Sequence, residues 1–220
     1  MKNKTTVAVT VLLLALGATV ARAQDKAPEN SRVSIMALGG YRTSGEFQIT
    51  SEDVAYSTLR MKGGLAYGLA VGYRLMEVLS VEATWIRSGS SLEGVLPVAE
   101  ALPDVKLFSL SEDQFHANIL LSAGYSIGKV DPYFLLGLGL TSINPSGDVP
   151  GASRFSWNLG AGFKAMISKK IGLRGQAELV PTYISNIDTI LNEWVGGVQT
   201  VSLRNTMVQW QFTVGLFFRL

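Results

Sequence analysis

The clearest pattern in the chain is its last stretch, Val208–Leu220. Val208, Trp210, Phe212, Val214, Leu216, Phe218 and Leu220 are apolar, and they alternate with Gln209, Gln211, Thr213, Gly215, Phe217 and Arg219. Period two over this length marks a strand whose two faces meet different surroundings. The stretch exceeds the usual globular strand and matches the roughly 9–11 tilted residues that cross a membrane.

The same alternation recurs upstream and predicts eight strands: Arg32–Arg42, Met61–Arg74, Val78–Ser88, Gln114–Ile127, Pro132–Ile143, Arg154–Ile167, Ile171–Tyr183 and Asn205–Leu220. In the second strand Leu65, Tyr67, Leu69, Val71 and Tyr73 oppose Gly64, Ala66, Gly68, Ala70, Gly72 and Arg74. In the first strand the two sets, Val33/Ile35/Ala37/Gly39 and Ser34/Met36/Leu38/Gly40, leave the facing open. The connections alternate long and short. Thr43–Arg60, Gly89–Asp113, Asn144–Ser153 and Ile184–Arg204 are long, with Lys106–Leu110 in the second a candidate strand projecting beyond the membrane; Leu75–Glu77, Gly128–Asp131 and Ser168–Lys170 are tight. An even strand count with this rhythm predicts an all-β, up-and-down, antiparallel transmembrane barrel with four longer outside loops.

A soluble lipocalin-like barrel has the same period, and three features argue against it. The non-apolar face is Gly, Ala, Ser, Asn and Gln with scattered charges, which suits a narrow interior. The apolar face carries many large aromatics. Those aromatics also sort by depth: Trp85, Trp157 and Trp210 fall near the long-loop ends, and Tyr73, Tyr125, Phe163 and Phe218 near the short-turn ends. Two girdles at two interfaces are what a membrane barrel requires.

The N-terminus changes the charge picture. Lys2 and Lys4 precede an apolar run, Val7–Val20, and Ala21-Arg22-Ala23 has the small-x-small form of a cleavage site. Residues 1–23 therefore read as a signal peptide, 24–31 as a flexible lead-in and 32–220 as the barrel domain. Cleavage removes three basic residues and leaves 16 basic against 17 acidic. The whole-chain pI near 8.8 thus overstates basicity, and no basic patch argues for nucleic acid. Charged residues are only 16% of the chain, yet no stretch after residue 23 forms an 18-residue apolar run. Strands rather than helices would then make the crossing.

The chain resembles the small bacterial outer-membrane barrels of the OmpA/OmpX-like eight-stranded family. The residues that carry the resemblance are Ala21-Arg22-Ala23, Gly39-Gly40-Tyr41-Arg42, Tyr67-Gly68-Leu69 running to Gly72-Tyr73-Arg74, Pro132-Tyr133 with Gly137-Leu138-Gly139, and the closing strand to Phe218. The resemblance implies the outer membrane of a Gram-negative bacterium, contact with its lipid, and a barrel-assembly machinery that reads the C-terminal strand. Such strands usually end in an aromatic, whereas this one ends Phe218-Arg219-Leu220.

Candidate chemistry is sparse. His116 is the single histidine and there is no cysteine, so neither a metal site, a cofactor site nor a catalytic site is expected. If strand four faces as proposed, His116 points inward beside Gln114 and Asn118 and serves as a hydrogen-bonding group. Arg74, Glu82, Lys164, Arg174 and Glu178 form the expected inward charge set. An eight-stranded barrel has room for little but its own side chains, so these charges are expected as a plug of ion pairs.

In the last loop, Ile187, Ile190, Leu191, Trp194 and Val195 fall at i, i+3, i+4, i+7 and i+8, with Asn186 as cap and Gly196-Gly197 as stop. They predict a short amphipathic helix at the outer rim, which would lie on the interface, cover the mouth or bind an extracellular partner. The Gly137-Leu138-Gly139 and Gly160-Ala161-Gly162 stretches lie inside strands and are not nucleotide loops. The expected role is structural or surface-interactional, with a largely packed polar lumen. The alternatives are a narrow channel or small hydrophobic-ligand carrier, and a lipid-modifying enzyme.

Overall fold

A computed structural model describes residues 32–48, 58–95, 105–124, 129–146, 151–184 and 205–220. The expected signal segment and the expected rim helix (Ile187, Ile190, Leu191, Trp194, Val195) lie outside the described residues, as do Tyr125 and Ile127.

Among the described residues ten strands occur in chain order: β1 Val33–Arg42, β2 Gly45–Gln48, β3 Thr58–Met61, β4 Gly64–Arg74, β5 Leu79–Val95, β6 Val105–Ser122, β7 Val130–Pro145, β8 Ala152–Met166, β9 Ile171–Ile184 and β10 Asn205–Arg219. They make an eight-stranded closed barrel, because β2 prolongs β1 and β3 precedes β4 on the same wall. Each stave pairs antiparallel with its sequence neighbour, and β1 pairs with β10 to close the ring, from Ser34↔Arg219 to Arg42↔Gln211. Closure satisfies every wall's main-chain donors and acceptors, the condition for backbone to sit in hydrocarbon.

The tight turns are hydrogen-bonded. Leu75 and Met76 N–H donate to the Leu79 carbonyl at 3.0 Å each, and Ile167 and Ser168 N–H donate to that of Ile171 at 2.9 and 3.0 Å. At the third, Gly124 takes a φ of 75°, in the left-handed region that an L side chain resists.

The two faces separate as the alternation predicts. Leu65, Tyr67, Leu69, Val71, Phe115, Ile119, Leu136, Leu138, Leu140, Phe155, Leu159, Trp210 and Phe212 are exposed on the outside. Gln114, His116, Asn118, Thr141, Ser156, Asn158, Arg174, Gln176 and Glu178 are buried inside. The first strand resolves with Met36, Leu38 and Arg42 inward and Ile35 and Tyr41 outward. Phe217, a large apolar residue on the polar parity of β10, packs inside with Met36, Leu38, Ala66, Ala70 and Ile86.

Two expected loops are in part strand. The third strand continues past Ser88 to Val95, and the fourth begins at Val105, so the connection expected at 89–113 narrows to 96–104. Likewise β2 and β3 form a hairpin within the expected loop 43–60, and β3 pairs with β5. These rim extensions have water on their outer faces as well, so the polar–apolar alternation that marks a lipid-facing strand is absent there. The fourth strand also stops earlier than expected, at Ser122 rather than Ile127, with the Ala123 N–H donating to the Pro132 carbonyl at 3.0 Å.

Candidate functional site

The lumen is the place where this sequence concentrates polar chemistry, and its inward glycines make the room. A Cβ at Gly162 would strike the Tyr133 ring and hydroxyl, and one at Gly137 would overlap the Asn118 and Asn158 carboxamides. Small residues on β7 and β8 thus let large polar side chains from β6, β7 and β9 fill the axis.

Those side chains form three hydrogen-bonded groups. In the first, Arg174 of β9 pairs with Glu82 of β5, its Nε donates to the Tyr133 hydroxyl at 2.6 Å, and its Nη1 contacts the Met36 sulfur at 3.0 Å. Tyr133 in turn donates to Gln176 Oε1 at 2.7 Å. Gln176 and Asn158 both donate to the Glu178 carboxylate, the latter at 2.7 Å. Thr84 donates to Glu82 at 3.0 Å and accepts from Asn118 at 2.9 Å.

In the second, Arg42 of β1 meets Glu112 of β6 at 3.2 Å and donates to Gln211 Oε1 from Nε and Nη2, at 3.1 and 2.8 Å. The third is a hydroxyl chain: Thr182 donates to Thr141 at 3.3 Å, Thr141 donates to Ser156 at 3.0 Å, and Ser156 Oγ lies 3.0 Å from His116 Nε2.

Of the five charges expected inside, Glu82, Arg174 and Glu178 are buried in the first group. Glu178 is held by carboxamides rather than by a contacting cation. Lys164 and Arg74 line a small cavity at the short-turn end, and Lys164 Nζ sits 5.3 Å from the Tyr133 ring centre. Arg42 and Glu112 are the pair that sequence reading missed. Arg42 lies on the Met36/Leu38/Gly40 parity, and Glu112 stands two residues before Gln114 on the same inward register. Beyond this pair, toward the long-loop end, Met61, Leu92, Leu110, Ile143 and Met207 are buried on the inward parity, an apolar layer above the polar ones.

The lumen is closed at the level of both ion pairs. Arg42, Glu112 and Arg174 each retain 1% of their accessible surface and Glu82 retains 5%. Among the described residues, eight buried side-chain polar atoms have no protein partner, including both carboxamide atoms of Gln114, Ser88 Oγ, Gln209 Oε1 and Thr213 Oγ1. Buried groups of this kind are ordinarily satisfied by isolated internal waters.

The outer surface carries the two aromatic levels. Trp85 donates from its indole N–H to Asp113 at 3.1 Å and stands edge-on to Tyr67, and Trp210 stacks on Phe212. Tyr73, Phe134 and Phe163 are exposed near the tight turns. An apolar band between two aromatic belts, around a closed polar core, is a wall built for lipid.

Comparison of sequences gives the same answer. Residues 10–216 match the family described as outer membrane protein beta-barrel domain. The chain belongs to that family. As an outer-membrane β-barrel, it resides in the bacterial outer membrane, in contact with its lipid. No protein of curated function matches it by sequence.

Solved structures with the same fold include Neisserial surface protein A, at 11% identity and a TM-score of 0.55, covering 86% of this chain and 97% of that one. OprG from Pseudomonas aeruginosa is similar at 12% identity and a TM-score of 0.58, over 88% and 99% of the two chains. AlkL, determined by solid-state NMR in DMPC bilayers, aligns at 10% identity and a TM-score of 0.57, over 89% and 94%. At these identities the likeness establishes the fold of this outer-membrane β-barrel and no more.

Proposed function

We propose that this protein is a closed barrel whose role is structural or exerted at the cell surface, rather than a conduit. The observation that supports the reading is the near-complete burial of both ion pairs across the lumen. A solvated pore would leave Arg42, Glu112, Glu82 and Arg174 wetted and separately screened. The outside loops are then the parts that meet a partner, and outer-membrane lipid and the barrel-assembly machinery, engaged through β10, are the other contacts. The segment 1–23 serves as a cleaved export signal.

Planar-bilayer recording tests this directly. The purified barrel is expected to show no discrete conductance steps, and reproducible ohmic steps would replace this reading with the narrow-channel one. The partnerless buried polar atoms favour that second reading to the extent that they imply water inside the wall.

The enzyme alternative rests on His116 and Ser156, which lie at hydrogen-bond distance. Both are buried in the lumen, away from the lipid-facing surface, and Ser156 is also committed to Thr141. A lipid ester has no approach to them. His116→Ala is therefore expected to leave outer-membrane lipid composition unchanged by mass spectrometry; altered acylation would revive the enzyme reading.

A further inference from the structure

The short-turn end of the lumen holds a feature that a packed plug does not require. Arg32, Arg74, Lys164 and Arg219 line one cavity of about 50 Å³ together with Ser34, Ser80 and Glu82. Among the described residues, Glu82 and Asp131 bear on this group. Glu82 is engaged by Arg174 just above, and Asp131 stands opposite Lys164 in the β7–β8 register. Even with both counted, and with Arg74 set aside as having a partner of its own, Arg32, Lys164 and Arg219 leave cations in excess around the cavity.

Two of these cations are held in place by rings. Lys164 lies over Tyr133, and the Arg219 guanidinium lies 5.7 Å from the Phe217 ring centre. Like charges gathered around a small, partly dehydrated space repel one another strongly, whereas glutamine or serine would line the mouth without that cost. The arrangement is therefore suited to a counter-ion that sits among them.

The cavity's size and donors indicate which one. Its volume accommodates roughly three to five water-sized atoms, the bulk of one tetrahedral oxyanion. Guanidinium forks match such oxyanions bidentately, a lysine adds a point charge, and the Ser34 and Ser80 hydroxyls add neutral donors. We infer that the cavity lined by Arg32, Arg74, Lys164 and Arg219 binds one phosphate-type oxyanion, free or as the phosphate of a lipid headgroup. It is an anion site at the short-turn mouth, bordered on its inner side by Glu82 of the Arg174 pair.

The test uses the full barrel folded in uncharged maltoside micelles and titrated with inorganic phosphate, against chloride at equal ionic strength, followed by backbone-amide NMR. Saturable shifts are expected at Ser34, Gly72, Ser80 and Phe217 with phosphate and not with chloride. In the double variant Lys164→Gln/Arg219→Gln, apparent affinity is expected to fall by at least about tenfold, the scale of losing charge-assisted hydrogen bonds. Folding of that variant is checked by an unchanged gel shift on heating; if it fails the check, Arg74→Gln alone takes its place.

Equal shifts with chloride, or phosphate affinity unchanged in the folded variant, overturn the inference. The source of the anion is read in bicelles containing phosphatidylglycerol. Phosphate shifts that persist there assign a free anion. Mouth amides already displaced before phosphate is added assign a headgroup.

Discussion

Arg174→Met is expected to destabilise the folded barrel by about 3–5 kcal/mol, the cost of leaving one member of a buried ion pair without the other. The partner left behind is Glu82, inside the wall and pointing at the space the guanidinium filled. Thr84 remains as a single neutral donor to it. Tyr133 also loses the Nε donor and keeps only its bond to Gln176. Lys164 borders the same cavity as Glu82, and its approach sets the lower end of the range.

The double variant Arg174→Met/Glu82→Met removes both charges together and is expected to recover most of the loss, since paired apolar replacements of buried ion pairs are often neutral. Urea titration in lipid vesicles, read by the heat-sensitive gel shift, measures both. A single-variant loss under about 1 kcal/mol would put Arg174 in the class of solvent-exposed pairs and would mean that the lumen is wet.

Leu138→Arg carries the second large effect. Along β7 the outward positions run Phe134, Leu136, Leu138, Leu140 and Ser142, so Leu138 stands midway between the lower aromatic level and the polar rim. It is 60% exposed, and its cross-strand partners are Ala117 and Trp157. Arginine near the hydrocarbon midplane of an outer-membrane barrel costs about 2–4 kcal/mol, falling to about 0–1 near the interface. Ser142→Arg, on the same face two turns of the pleat higher, is the matched control and is expected to be nearly silent. Equal stability of the two variants in vesicles would contradict the assignment of this face to lipid.

The contrast between these two positions also explains what could be read in advance. Alternation is sharp wherever one face meets hydrocarbon and the other a packed interior, and there the strand bounds came within a residue or two of the observed ones for β1, β8, β9 and β10. It inverts beyond the hydrocarbon, where the outer face meets water and the inner face buries Leu92 and Leu110. Ser90, Ser91 and Glu93 do not mark the continuation of β5 to Val95, whereas Lys106–Leu110 reads as a candidate strand projecting beyond the membrane, in keeping with a β6 that begins at Val105. The apolar layer at the long-loop end is hidden for the same reason, since Leu92 and Leu110 stand among Ser91, Glu93, Ser109 and Ser111 with none of the lipid-face pattern around them.

Arg42 was hidden differently. Ala37 and Gly39 on one parity and Leu38 and Gly40 on the other are too alike to fix the facing of β1, and only pairing with β4 and β10 decides it. Its partner Glu112 was then beyond reach as well. By contrast, the inward parity of Glu82 and Arg174 followed from unambiguous strands. Their pairing needed the fold, because 92 residues separate them in the chain.

The seam between β1 and β10 sets a condition on how the molecule can form. Its nine aligned positions join residues from opposite extremes of the barrel sequence, beginning with Ser34 against Arg219. Such distant pairing is slow to find, since the entropy of bringing the ends together is lost before any contact repays it. Until it forms, β1 and β10 each present a row of unpaired amides and carbonyls that hydrocarbon will not solvate. A chain lacking either terminal strand would therefore fail as a whole rather than fold short by one stave. The completed ring, for the same reason, has no place from which to unravel gradually, and its lifetime in the membrane is governed by the height of a single concerted barrier.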